Sequence, residues 1–366
     1  HMNIYSPKFE RNRLMRKAAI TACSILLTST LIAQEDPDQL NTVLDIDALY
    51  TPLESKPVHG DTAVKLLNEL ETKHYSSVSI NDSFSSTVFD SYIDALDGSK
   101  LYFIKEDIDK LSAYRYTLDN SLSDGSVEPG FEIYNLYYKR ILERMVYAID
   151  RVENHIDEMD FTIDETIEID REDAPYAASL AELDELWRLR IKNSVLSLKL
   201  TGDTNEEIKE KLSKRYRNQL SQISKTNDKD VFQTYMATVA TAVDPHTSYF
   251  SPRDSENFNM GLSLSLQGIG AQLTTEEEYT ISIGQGVDGE LQDVVGMRLD
   301  DVVAQIRGEK GTVVRLNVIP VDEVGESSAT VVSITRDTVK LEDQSAKKEV
   351  IELSYNGDDY KIGIID

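Results

Sequence analysis

Leu262-Ser263-Leu264-Ser265-Leu266-Gln267-Gly268-Ile269-Gly270-Ala271 is the stretch at which the chain changes grammar. Three leucines alternate with two serines, the period of a half-buried strand, and Gly268-Ile269-Gly270-Ala271 interrupts them. A loop with glycines at alternate positions turns successive backbone N–H groups into one concavity, which suits an anion such as a carboxylate. If the strand that follows has a free edge, an extended peptide adds to it as a further strand. Its terminal carboxylate then sits in the loop, and its last side chain enters an apolar pocket. The donors expected are the amides of Ile269, Gly270 and Ala271, just after Gly268. Ala271, Gln272 and Leu273 form the expected strand wall, and Leu299, Val302, Val303 and Ile306 the helix wall. Glycine at alternate positions also makes ordinary tight turns, so these residues alone leave both readings open.

Upstream, residues 61–243 have a helical period and little glycine. Val64, Leu67 and Leu70 recur at helical spacing behind Asp61, a candidate N-cap. Phe84, Val88, Tyr92, Ile93 and Leu96 follow, closed by Asp97-Gly98. Further helices are expected over 131–149, over 180–200 with Trp187, over 205–224 and over 230–243. Tyrosines three and four apart in this region read as helix-packing residues rather than a cofactor site. Downstream, glycine becomes common and β-branched residues alternate with polar ones. The expected elements are a hairpin from 272–274 and 279–283, a helix over 293–307 stopped by Gly308 and Gly311, and strands over 313–319 and 329–335. Segments 350–355 and 360–365 begin another sheet.

The first residues read as a targeting segment. Lys8, Arg11, Arg13, Arg16 and Lys17 precede an apolar or weakly polar run over 18–32 that ends near Ala33. That order is the one of a secretory signal peptide behind a His1-Met2 cloning scar. The run falls short of the roughly 20 residues a membrane-spanning helix requires, which disfavours an uncleaved anchor. The one cysteine, Cys23, lies inside it. Cleavage near Ala33 would therefore leave no thiol for a disulfide, a metal site or a nucleophile. Residues 34–60, with Pro37, Pro52 and Pro57, read as an extended lead-in.

Composition narrows the partners. The chain carries 65 Asp and Glu against 38 Lys and Arg, a surface that repels nucleic acid and anionic headgroups. His1, His59, His74, His155 and His246 are scattered, with no metal-ligand spacing. Carboxylates are too abundant to single out Asp300-Asp301 or the acidic run 276–278 as acid and base. Ser194 near Lys192 and Ser345 near Lys347 read as ordinary surface, and His246 as a loop-capping or packing residue. No metal and no cofactor is expected.

Several longer motifs resemble one family in order along the chain. Asp244-Pro245-His246-Thr247-Ser248-Tyr249-Phe250-Ser251-Pro252-Arg253 resembles the segment ahead of the PDZ domain in tail-specific proteases, the C-terminal processing serine peptidases of the bacterial periplasm. The 262–271 stretch resembles their carboxylate-binding loop, and Gly296-Met297-Arg298-Leu299-Asp300-Asp301-Val302-Val303-Ala304-Gln305-Ile306 their second PDZ helix. Arg336 and Leu341-Glu342-Asp343 resemble the return into the protease domain. Upstream, Trp187 and Ser197-Leu198-Lys199-Leu200-Thr201-Gly202 fit the family's helical N-terminal domain.

The resemblance implies an α+β multidomain chain. Residues 1–33 are a signal peptide, 34–60 a lead-in, 61–243 an all-α domain, 244–340 a PDZ-like domain with its flank, and 341–366 the first strands of a protease domain. It implies a periplasmic endopeptidase that takes the nonpolar C-terminal tails of exported proteins, in some cases with an adaptor lipoprotein. Leu266 and Leu341 fall where the family couples tail binding to hinge movement. Family chemistry uses a serine nucleophile and a neutral lysine base, and nothing in 1–366 matches the motifs around them. Between Tyr279-Thr280-Ile281 and Gly284-Gln285-Gly286 a family stretch is missing, so the PDZ-like part is short. The competing expectation is a non-catalytic PDZ-type peptide-binding or scaffold protein.

Overall fold

The computed structural model describes residues 44–263, 265–269, 282–286, 290–294, 297–318, 330–340, 348–355 and 358–365. They fall into two compact units that divide between Ser251 and Pro252. The chain is α+β, with an all-α first unit and small antiparallel sheets in the second.

The first unit is built on helices α1 (Ile46–Leu49), α2 (Pro57–Lys73), α3 (Asp82–Asp97), α4 (Lys105–Leu111), α5 (Leu118–Ser123), α6 (Glu128–His155), α7 (Leu180–Leu200), α8 (Asn205–Ser224) and α9 (Asp228–Thr241). Side-chain caps set several starts. Asn81 accepts from the amides of Ser83 and Phe84, and Ser179 accepts from Glu182. Thr204 with Glu207, and Asn227 with Asp230, form reciprocal capping boxes. Helix α6 has 28 residues, about 42 Å at 1.5 Å per residue, and is the spine of the unit. Its first turns supply Phe131 and Ile133 to a core with Val88, Phe89, Tyr92, Leu118, Leu122, Tyr235 and Val239. Its later turns supply Leu142, Met145 and Ile149 to a second core with Leu183, Trp187, Ile191, Ile208 and Leu212. Trp187 donates its indole N–H to the Leu101 carbonyl at 2.7 Å. A buried polar pin sits beside these cores, where Arg140 meets Asp107 through two hydrogen bonds of 2.9 Å.

Several boundaries differ from the sequence reading, among them those of α6, expected over 131–149 but running Glu128–His155. Helix α2 starts at Pro57 rather than behind Asp61, because proline at the first helical position loses no hydrogen bond and has its φ already set. The described part of the lead-in holds the short helix α1 before an irregular stretch over 51–56. Helix α9 opens two residues early, at Asp228, where Asn227 caps it.

The second unit contains helix α10 (Pro252–Ser263), strands β1 (Ser265–Gly268), β2 (Ser282–Gln285) and β3 (Gln292–Asp293), helix α11 (Leu299–Ile306), and strands β4 (Val313–Val318), β5 (Thr330–Thr335), β6 (Asp337–Lys340), β7 (Lys348–Tyr355) and β8 (Asp358–Ile365). One sheet has the order β3-β2-β4-β5, β1 pairs with β6, and β7 pairs with β8, all antiparallel. Ile283, Val294, Val302, Ile306, Val314 and Leu316 form its core, with Ile269 and Ile334 packed against them.

Here too the structure corrects expectations. Leu262 and Ser263 end a helix instead of opening a strand. Proline at its start, Asp254 in its first turn and Phe258 and Leu262 four apart favour the helix. The Ser263 hydroxyl, within reach of the Ser265 carbonyl, helps break it. The helix expected over 293–307 is shorter, because Asp293 pairs with Ser282 in the sheet and α11 begins only after Arg298. Strand β6 was not expected, since its run Asp337-Thr338-Val339-Lys340 is too short and polar to stand out; it sets Val339 opposite Leu266. The expected hairpin residues 272–274 and 279–281 lie outside the described residues.

Candidate peptide-binding site

Helix α11 carries the apolar stripe that the sequence reading assigned to the helix wall of a groove. At 100° per residue, Val302, Ile306, Leu299 and Val303 fall on one continuous stripe. Val302 and Ile306 are buried in the unit's core, while Leu299 and Val303 beside them stay half-buried. The stripe thus runs from core to an accessible margin. Ile269 lies partly buried against the same core, so the end of β1 and the apolar side of α11 share one packing cluster. Gly268 closes β1 opposite Asp337, and a methyl group there would stand 3.1 Å from Leu266 Cδ1.

The polar side of α11 is held separately. Arg253, in the first turn of α10, donates to Asp301 at 3.0 Å and lies 3.6 Å from Asp300. Arg307 at the end of α11 donates to Asn257 at 2.9 Å. Asp300 and Asp301 also sit where the helix dipole favours negative charge. Helix α10 is therefore clasped to α11 through Arg253 and Asn257.

The C-terminal end of α11 is fixed by Arg336, whose residue surface is only 4% exposed. Its Nε donates to the Ile306 carbonyl at 2.8 Å, and one terminal nitrogen to the Gln305 carbonyl at 3.0 Å and to Gln285 Oε1 at 2.7 Å. The other reaches Thr312 Oγ1 at 2.9 Å and, more weakly, the Val313 carbonyl at 3.4 Å. Gln285 adds a bond of its own to the Gln305 carbonyl at 2.7 Å. Burial lowers the pKa of Arg336 from the usual arginine value, and all its acceptors are neutral. Gly308 must be glycine for this arrangement, because a Cβ would lie 2.9 Å from Arg336 Nε. Backbone bonds from Gly311 to Arg336 and from Arg336 to Thr312, both 2.8 Å, complete the corner. Sequence reasoning placed Arg336 only in the return segment and gave Gln285 no role. The one signal was a lone arginine after the alternating strand Val331 to Thr335.

Of the residues expected to form the site, Gly268, Ile269, Leu299, Val302, Val303 and Ile306 belong to this unit as described. Gly270, Ala271, Gln272 and Leu273 lie outside the described residues, as does Leu341 of the expected hinge pair, whereas Leu266 sits half-buried on β1.

The remaining candidates have ordinary roles. Lys192 is buried rather than on the surface, in an ion pair with Glu165, while Ser194 Oγ donates to the Arg190 carbonyl at 3.1 Å. Ser345 and Lys347 lie outside the described residues. His246 is exposed, with its amide and ring on Asp244 in a local turn. Among the described residues no three His, Cys, Asp or Glu side chains are grouped to hold a metal ion, and no helix is long and apolar enough to cross a membrane.

Residues 66–253 match the family profile described as the tail specific protease N-terminal domain. A tail-specific protease from Haemophilus influenzae is 37% identical over 302 residues, covering 76% of this chain and 42% of that protein. The carboxy-terminal processing protease CtpA of Bacillus subtilis is 28% identical over 41% of this chain and 35% of its own length. A probable CtpA-like serine protease of Staphylococcus epidermidis is 27% identical over 29% of this chain and 24% of its own. The chain spans less than half the length of these relatives.

Proposed function

The chain belongs to the tail-specific protease family, and on that premise we propose that it is the tail-sensing part of a periplasmic serine endopeptidase. The observation that carries the reading is the stripe of α11, whose half-buried Leu299 and Val303 adjoin the core residues that Ile269 packs against. On this reading a nonpolar C-terminal side chain lies against Leu299 and Val303. The tail pairs with the strand after Ile269, and its carboxylate takes the amides of Ile269, Gly270 and Ala271. Arg336, Gln285 and the α10 clasp hold α11 in place, so that the helix wall of the groove is set before the peptide arrives. Leu266 and Leu341 then carry the bound state to a protease domain.

Cleavage on this reading needs a serine activated by a lysine that burial keeps neutral. Periplasmic location rests on the basic-then-apolar pattern of residues 1–33. The acidic surface agrees with a protein ligand rather than nucleic acid.

The test is a fluorescently labelled peptide with an apolar C-terminal residue, titrated with the chain and followed by anisotropy. Val303→Asp places a charge on the accessible margin of the stripe, and at least a tenfold loss of affinity is expected. Unchanged affinity in a folded Val303→Asp chain would remove α11 from the site.

A further inference from the structure

His59 stands apart from the tail-binding reading. It occupies the third position of α2, is 5% exposed, and is stacked between Phe232 at 4.5 Å and Phe131 at 5.7 Å. Its Nδ1 accepts the backbone N–H of Lys56 at 3.1 Å, the role a glutamate plays in a capping box. Its Nε2 points at Asp228 Oδ2, 3.5 Å away, and the Lys56 ammonium meets the same oxygen at 2.8 Å. The charged groups facing the ring are therefore Lys56 from its own helix start and Asp228 from α9, while α6 offers the ring of Phe131.

The segment that enters this cap lies on α6 by few bonds. Asn135 brackets Leu53, its Oδ1 accepting the Leu53 amide at 2.8 Å and its Nδ2 donating to the Leu53 carbonyl at 2.9 Å. Ser55 donates to Glu128 at 2.9 Å, and Tyr50 packs on Tyr138.

We propose that His59 is an acid-sensitive latch, in which protonation of Nδ1 frees the segment 50–56 from the helical unit. The neutral ring accepts the Lys56 amide, whereas a protonated Nδ1 presents a hydrogen to that same N–H and a positive charge to the Lys56 ammonium. Asp228, already engaged by Lys56, offsets only part of this. Burial lowers the pKa of His59, more than Asp228 raises it. The unfolded or released state therefore takes the proton first. The latch is fully closed above the ordinary histidine value near 6.5 and weakens as pH falls from there towards the lower value of the closed state.

Hydrogen exchange of the 366-residue chain, expressed as protection factors to remove the intrinsic pH effect, tests this. On moving from pH 7.5 to pH 5, protection over 50–56 is expected to fall at least tenfold, while that of α7 around Trp187 is retained. His59→Gln supplies a side-chain oxygen that accepts the Lys56 amide but does not titrate, and its 50–56 protection is expected to be the same at both pH values. Equal protection at both pH values in the unaltered chain would overturn the proposal, as would an acid response preserved in His59→Gln. Should that variant fail to fold, the pH midpoint of 50–56 release in the unaltered chain decides. A midpoint matching the His59 ring titration read by NMR supports the latch, and one in the carboxylate range near 4 refutes it.

Discussion

The Arg336 guanidinium donates Nε–H to the carbonyl of Ile306 at 2.8 Å, making a buried side chain from the far end of the unit the cap of α11. The last carbonyls of a helix need such donors, and here Arg336 and Gln285 supply them. Replacing Arg336 by methionine keeps the stem but strips the Ile306 carbonyl of its guanidinium donor and the Gln305 carbonyl of one of two, a cost of about 2 kcal/mol to the second unit. Hydrogen exchange at Val302 and Ile306 should accelerate, while Trp187 in the helical unit reports an unchanged urea midpoint. Unaltered exchange in α11 would show that the arginine is not what holds it.

Asp107 and Arg140 form a different kind of pin. The Asp107 carboxylate is almost fully buried and also accepts the Ile104 amide at 3.1 Å, and its bonds to Arg140 push the arginine's pKa upward. Removing one partner strands a buried charge, so Arg140→Met should lower the stability of the helical unit by about 3 kcal/mol. Adding Asp107→Asn to it should recover part of that loss. Urea melts of the two single variants and the double variant, followed by Trp187 fluorescence, give the comparison. Additive losses would mean the two side chains are not coupled.

Gly130 and Tyr235 make a third, steric prediction. A Cβ at Gly130 would lie 2.3 Å from Cδ1 of Tyr235, whose ring packs at a tilt against Tyr92 at 5.0 Å. Gly130→Ala should therefore destabilise the first core by about 2 kcal/mol. The Tyr235 hydroxyl is buried without a hydrogen-bond partner among the described residues, so Tyr235→Phe should be neutral or stabilising. A thermal melt that ranks the two variants in the opposite order would contradict the packing described.

The helical unit was largely legible because its signals are local. Leu180–Leu200 and Asn205–Ser224 have the bounds that periodicity and capping residues give, and Asp82–Asp97 ends at Gly98 as its Asp-Gly pair suggests. The short helices α4 and α5 were not, since six or seven residues hold too few turns to show a period. In the second unit the errors cluster where competing patterns overlap. The leucine-serine alternation spans a helix end and a strand start, and Asp293 belongs to a strand although an apolar-faced helix follows soon after. The stripe Leu299, Val302, Val303 and Ile306 could be read from spacing alone. The Arg336 corner could not, because its donors and acceptors meet only through pairings between distant segments. The latch at His59 was equally hidden, as nothing in the sequence places Phe131, Phe232 and Asp228 around one ring.

The central claim is that this unit recognises the free end of a nonpolar chain. The direct measurement is calorimetric titration of the chain with two peptides of identical sequence and apolar last residue, one a free acid and the other its amide. The account predicts that the acid binds at least tenfold more tightly, because only it carries the carboxylate proposed to take the amides of Ile269, Gly270 and Ala271. Equal affinity, or preference for the amide, would contradict it.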